Sequence, residues 1–216
     1  MSDAELTALL LWLAVLLASQ HGSRWRQLLA TPLYQHLLLS AALALLPLWW
    51  LRAGLHAGLE VHFLGLTALT LLLGWRLALV AGSLALLTLT ACGSEPWPLL
   101  GSHALLGVLL PVLTTELLFL ASWAWLARHL FVYLFVVAFL GGAAAISVKL
   151  LATALWMGMS GAYPWQIIAD DYLAIWPLLL FPEALLNGMT MTLLAVYRPH
   201  WVYSFHDHVY LGPPRP

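Results

Sequence analysis

Leu130-Phe-Val-Tyr-Leu-Phe-Val-Val-Ala-Phe-Leu-Gly-Gly-Ala-Ala-Ala-Ile-Ser-Val-Lys-Leu-Leu-Ala-Thr-Ala-Leu-Trp-Met157 runs unbroken with a single charged side chain, Lys149. A hydrocarbon core about 30 Å thick is crossed by about 20 helical residues, so this stretch is long enough to span a bilayer. The rest of the chain is of the same kind. Over 216 residues, 63% are hydrophobic and 8% charged, against roughly 25% charged in an ordinary soluble domain. That leaves too little polar material to cover a soluble surface. The formal net charge of −1 gives no footprint for nucleic acid. Cys92 is the only cysteine, which excludes an intrachain disulfide and a cysteine-cluster metal site.

Working outward, the apolar runs and the Gly, Pro and charged punctuation between them predict seven spans in one transmembrane domain over 1–200. They cover 4–19, 33–51, 55–73, 77–92, 103–127, 130–157 and 172–197. The third is unusual, with His56, Glu60 and His62 in its first half. The segment Gly93-Ser-Glu-Pro-Trp-Pro98 reads as a loop, and 198–216 as a flexible polar tail. The start lacks a basic n-region, so the first span is expected to be retained. With the N-terminus outside, Arg24, Arg26, Arg76, Arg128, Arg198 and Arg215 fall on the inner side. Only Arg52 falls outside. This asymmetry predicts a cytoplasmic C-terminus. The fold class is thus an all-α integral membrane protein of the bacterial inner membrane, with the lipid bilayer as its first partner.

Ionisable side chains at membrane depth are costly and face the bundle or a cavity. On this topology His56, Glu60, His62 and His103 fall near the outer surface, with Cys92 at the same level. Imidazoles and a carboxylate suit a divalent transition metal, and His56 and Glu60 share one face if their stretch is helical. The bland alternative is that interfacial histidines bond to headgroups, water or backbone. Lys149 and Glu183 are expected to pair structurally within the bundle. Glu116 is expected to bond across a helix interface, and His206-Asp207-His208 with His200 to be an incidental polar tract. Gly141-Gly142-Ala143-Ala144-Ala145 and the Ala14/Ala18 stripe permit close helix approach, within the chain by default. Pro111, Pro177 and Pro182 are expected to kink spans five and seven. There is no Walker A motif, Ser-His-Asp set or Gly-rich dinucleotide loop, so neither an enzyme nor an organic cofactor is expected.

Three segments carry a resemblance. His62-Phe-Leu-Gly-Leu-Thr-Ala-Leu-Thr-Leu-Leu-Leu-Gly74-Trp-Arg-Leu-Ala-Leu and Leu99-Leu-Gly-Ser-His-Ala-Leu-Leu-Gly107 resemble the CbiM-like cobalt/nickel permeases of energy-coupling-factor (ECF) ABC transporters. Phe181-Pro-Glu-Ala-Leu-Leu-Asn-Gly188 is similar to the final helix of that family, most closely in a proteobacterial branch. The resemblance implies a seven-helix S-component that captures a divalent metal at its outer face. It further implies a transmembrane coupling subunit and cytoplasmic ATPases as partners. His62 matches the family's loop histidine, and His103 stands where the family commonly has Asn. Two family ligands are absent: residue 2 is Ser rather than His, and Leu66 stands where a second loop histidine would be.

Four readings stand. The first is a substrate-binding subunit for cobalt, nickel or zinc, with metal ligands among His62, His103, His56 and Glu60. The others are an S-component for an organic solute or vitamin, an accessory membrane protein without transport activity, and a zinc-dependent membrane enzyme.

Overall fold

The computed structural model describes residues 2–20, 28 and 30–212. Arg24, Arg26 and Arg215, which contribute to the predicted orientation, lie outside them. Helices follow one another in the predicted order: α1 (Asp3–Ser19), α2 (Pro32–Trp50), α3 (Leu66–Leu73), α4 (Trp75–Ala91), α5 (Trp97–Trp125), α6 (Val132–Met159), α7 (Trp165–Tyr197) and α8 (Asp207–Tyr210). By length and composition α2, α5, α6 and α7 can each cross a membrane, and α4 is a shorter apolar helix. Exposed side chains such as Leu10, Leu43, Leu117, Phe131, Leu155, Leu178 and Leu193 form the apolar exterior that lipid covers. The chain is an all-α integral membrane protein.

The third predicted span differs from expectation. Helix begins only at Leu66, and the eight residues of α3 reach about 12 Å at 1.5 Å per residue. Residues 51–65 are an irregular loop, so His56 and Glu60 do not share a helical face. Glycines at Gly58 (φ 80°) and Gly65 (φ 64°) hold left-handed backbone that favours glycine, and this breaks the helix. Irregular backbone at membrane depth survives only where protein satisfies its polar groups. Here Ala53 and Val61 exchange two N–H···O bonds of 2.9 and 2.7 Å, and Trp49 Nε1 donates to the Leu64 carbonyl at 3.0 Å. Helix α7 supplies the rest. Glu183 accepts from the backbone N–H of Leu64 (2.8 Å) and Gly65 (2.9 Å) and from Asn187 Nδ2 (2.7 Å). Asn187 Oδ1 accepts from Ala68 N–H at 2.8 Å.

Those contacts correct a second expectation. Glu183 forms no ion pair with Lys149; its carboxylate is the acceptor for the loop, and Lys149 instead donates to the Glu60 carbonyl at 3.4 Å. The motif at 181–188 therefore clasps the 64–68 backbone. Gly142 lets α6 approach this clasp, since a Cβ there would lie 3.0 Å from Asn187 Nδ2 and 3.1 Å from the Glu183 carbonyl oxygen. The predicted glycine stripe thus packs within the chain. Ala14 and Ala18, by contrast, are exposed.

Two other features depart from the sequence reading. Helix α5 starts inside the predicted loop at Trp97, with Pro98 in its first turn, where the missing N–H costs nothing. The tail is not free either. Tyr203 and Ser204 N–H donate to the Leu72 and Leu71 carbonyls at 2.9 and 3.1 Å, and Phe205 and Tyr210 are buried against Tyr133. The segment after α7 closes the end of the bundle opposite the 51–65 loop. Glu116 has a partner. His200, His206 and His208 are exposed; His200 packs edge-on to Trp201, and His206 to His208.

Candidate functional site

The loop end of the bundle holds a partly open cavity of about 40 Å³. Arg52, Glu60 and His62 line it from the loop, and Glu95 from the turn after α4. His103 lines it from α5 and Lys149 from α6. The wall on α5 includes Leu106, Gly107 and Val108, within a widened π-helical turn (Leu105–Leu109) just before Pro111. Such turns recur at functional sites.

Charge inside the cavity is organised around Glu95 and Arg52. Arg52 Nη1 lies 2.7 Å from Glu95 Oε1 and 3.0 Å from Glu60 Oε2, while His103 Nδ1 lies 2.8 Å from Glu95 Oε2. Burial pushes the Glu95 carboxyl up. The hydrogen bond and charge of His103 and the Arg52 guanidinium outweigh it, and the net effect is below the ordinary value. Glu95 is accordingly an ionised group in a largely dry place, held by two partners. Arg52 Nη2 is buried without a hydrogen-bond partner among the described residues.

His62 sits in the loop between α2 and α3. Its ring is partly exposed and faces the cavity. Burial, reinforced by the Lys149 charge, lowers its pKa from 6.5 to about 3. Its Nδ1 lies 3.0 Å from the Phe63 carbonyl oxygen. This contact favours the tautomer with Nδ1 protonated and leaves Nε2 as a lone-pair donor. A neutral imidazole is the form that binds a metal.

Of the four predicted ligands, the cavity gathers His62, His103 and Glu60. His56 stands apart, its Nε2 2.8 Å from Asp171 Oδ2 and its ring against Tyr163. Among the described residues no three His, Cys, Asp or Glu side chains are grouped to hold a metal ion. Cys92 is exposed and uninvolved, as is His36. The sequence reading missed Glu95, Arg52 and Glu5 at this end. Glu5 is buried and accepts from Ser102 N–H at 2.9 Å and Trp156 Nε1 at 3.2 Å, which docks α1 against the cavity wall. One signal pointed to Arg52: it is the basic residue that breaks the charge asymmetry of the loops.

A family model described as "Cobalt uptake substrate-specific transmembrane region" matches residues 4–201. No curated protein and no solved structure matches the chain. The family match takes in all of α1 but its first residue and continues through α7, and it includes every residue that lines the cavity. The chain belongs to this CbiM family, the substrate-specific membrane component of cobalt/nickel uptake transporters of the energy-coupling-factor type.

Proposed function

We propose that the cavity at the loop end is the substrate site, and that His62 and His103 are its imidazole ligands for a divalent ion: cobalt, nickel or zinc. The observation that carries this reading is the pair of imidazoles lining one cavity, with His62 kept in its neutral form. Neutral imidazole suits these ions. The bonds of Glu60 and Glu95 to Arg52 position the loop rather than complete a ligand set. His56 is not a ligand in this reading.

The site faces the outside, with the N-terminus on that side and the tail in the cytoplasm of a bacterial inner membrane. The asymmetry of basic loop residues supports this direction. The chain performs no catalysis of its own. A transmembrane coupling subunit and cytoplasmic ATPases supply the energy, as in other members of the family.

Metal analysis of the purified protein after loading with cobalt, nickel or zinc tests the site. We expect stoichiometric metal in the wild type, and loss of it in both His62→Ala and His103→Ala. Absence of metal under every loading, or full occupancy in both variants, overturns the proposal.

A further inference from the structure

The cavity holds more cation-binding charge than it has free, and more anion-binding capacity than it uses. Arg52 and His103 pair with the carboxylates, although Glu95 Oε2 makes no well-formed hydrogen bond among the described residues, and the basic groups have donors to spare as well. Lys149 is 6% exposed and lines the cavity. Its ammonium has three N–H donors, yet its one hydrogen bond is the 3.4 Å contact to the Glu60 carbonyl. The Tyr172 ring lies 5.9 Å away, and among the described residues no carboxylate pairs with the lysine. Arg52 contributes a second spare donor, the buried and unpartnered Nη2.

Charge points the same way. Arg52 and Lys149 match Glu60 and Glu95 in number, so the carboxylates leave no net negative charge for an entering cation. A bare divalent ion would add two positive charges beside a buried ammonium, and like charges in a low-dielectric space repel strongly. Its ligand set would also be short, with two imidazoles and carboxylates already engaged. An anion that bonds to the lysine and the arginine relieves both difficulties.

We infer that the metal ion is bound together with a small oxyanion of the carboxylate or carbonate type, held by Lys149 and Arg52 and supplying oxygen ligands to the ion. This rests on the cavity being the metal site. The cavity is small, about 40 Å³, which suits a small anion such as carbonate or acetate. Nη1 of Arg52 is taken by Glu60 and Glu95, so the guanidinium offers the anion its Nη2.

The test is Co²⁺ titration of the purified full-length protein by calorimetry, in carbon-dioxide-free chloride buffer and with chloride partly replaced by 10 mM bicarbonate or 10 mM acetate at constant ionic strength. Wild type is expected to bind Co²⁺ at least ten-fold more tightly in one of the oxyanion arms, and the stronger arm identifies the anion. Complexation of Co²⁺ by these anions in solution works in the opposite direction, so the rise originates at the site. Lys149→Met is expected to lose the enhancement and Lys149→Arg to keep part of it. Equal wild-type affinity in all three arms overturns the co-binding alone. So does an undiminished enhancement in Lys149→Met. No Co²⁺ binding in any arm overturns the metal site itself and the inference with it. The wild-type arms decide the question even if a variant fails to fold.

Discussion

Replacing Glu183 by Ala is the sharpest perturbation of the loop that carries His62. The Glu183 side chain is fully buried and accepts two backbone N–H groups, from Leu64 and Gly65, besides the Asn187 amide. Neither N–H has another acceptor within the loop, and Gly65, at the N-cap of α3, has no side chain with which to cap it. Stranding a buried donor costs about 1–3 kcal/mol, so two stranded donors cost about 2–6 kcal/mol, with a central expectation of about 4. That is on the order of a thousand-fold in the folding equilibrium, at about 1.4 kcal/mol per decade. Glu183→Gln keeps one carbonyl acceptor but presents an amide NH₂ to the second N–H, so about half the loss is expected. Denaturant unfolding in mixed micelles, followed by tryptophan fluorescence, gives the free energies. Amide exchange at Leu64 and Gly65 should accelerate before the rest of the bundle opens. Co²⁺ affinity should fall as well, although Glu183 does not line the cavity. A Glu183→Ala protein within about 1 kcal/mol of wild type, with both amides still protected, would refute the clasp.

Three further outcomes follow from the geometry. His62 is held neutral down to about pH 3 against an ordinary 6.5, so between those values the unfolded chain binds more protons than the folded one. Stability should fall with pH across that window, by at most about 1.4 kcal/mol per pH unit, and stay flat with respect to this group above 6.5; His62→Asn should flatten the unfolding free energy against pH. Helix α1 meets α5 at Gly101, where a Cβ would collide with the Glu5 carbonyl oxygen and lie 2.8 Å from Leu9 N. Gly101→Ala should cost about 1–3 kcal/mol in thermal unfolding, whereas Gly107→Ala, with nothing within 4 Å of its Cβ, should be close to neutral. Ser204 bonds to Tyr133 Oη at 2.7 Å and donates to the Leu71 carbonyl at 2.8 Å. Ser204→Ala should cost about 1–3 kcal/mol and expose the segment after α7 to proteolysis; unchanged protease resistance would count against its docking.

The sequence makes helices legible wherever an apolar run is long, because only a helix satisfies its own backbone in lipid. The run 130–157 becomes α6 almost unchanged, and 33–51 becomes α2. The failure at 55–73 has a specific cause. Hydropathy records that Leu55, Leu59, Val61 and Leu64 are apolar. It does not record that Gly58 and Gly65 take positive φ, nor that a carboxylate on a helix 119 residues downstream serves the Leu64 N–H. A long-range acceptor is what permits non-helical backbone at that depth, and no local window contains it. The same distance hid the true partner of Glu183: two opposite charges in neighbouring spans invited an ion pair, whereas the nearest unmet need was the backbone.

The candidate site was half legible for a related reason. His62 and His103 stand out because imidazoles are costly in an apolar chain, and the fold brings both to one cavity. His56 looks identical in sequence yet pairs with Asp171 at the start of α7, since the loop turns it away from the cavity that Glu60 and His62 line. Glu95 and Arg52 read as ordinary loop charges, and only the closed bundle shows that they hold each other at 2.7 Å beside the histidines. What remains beyond that pairing is a surplus of donors, on Lys149 and on Arg52 Nη2. A buried donor surplus beside two imidazoles suits a ligand with both anionic oxygens and a cation. A metal ion bound with a small oxyanion is the simplest species that meets the two demands at once.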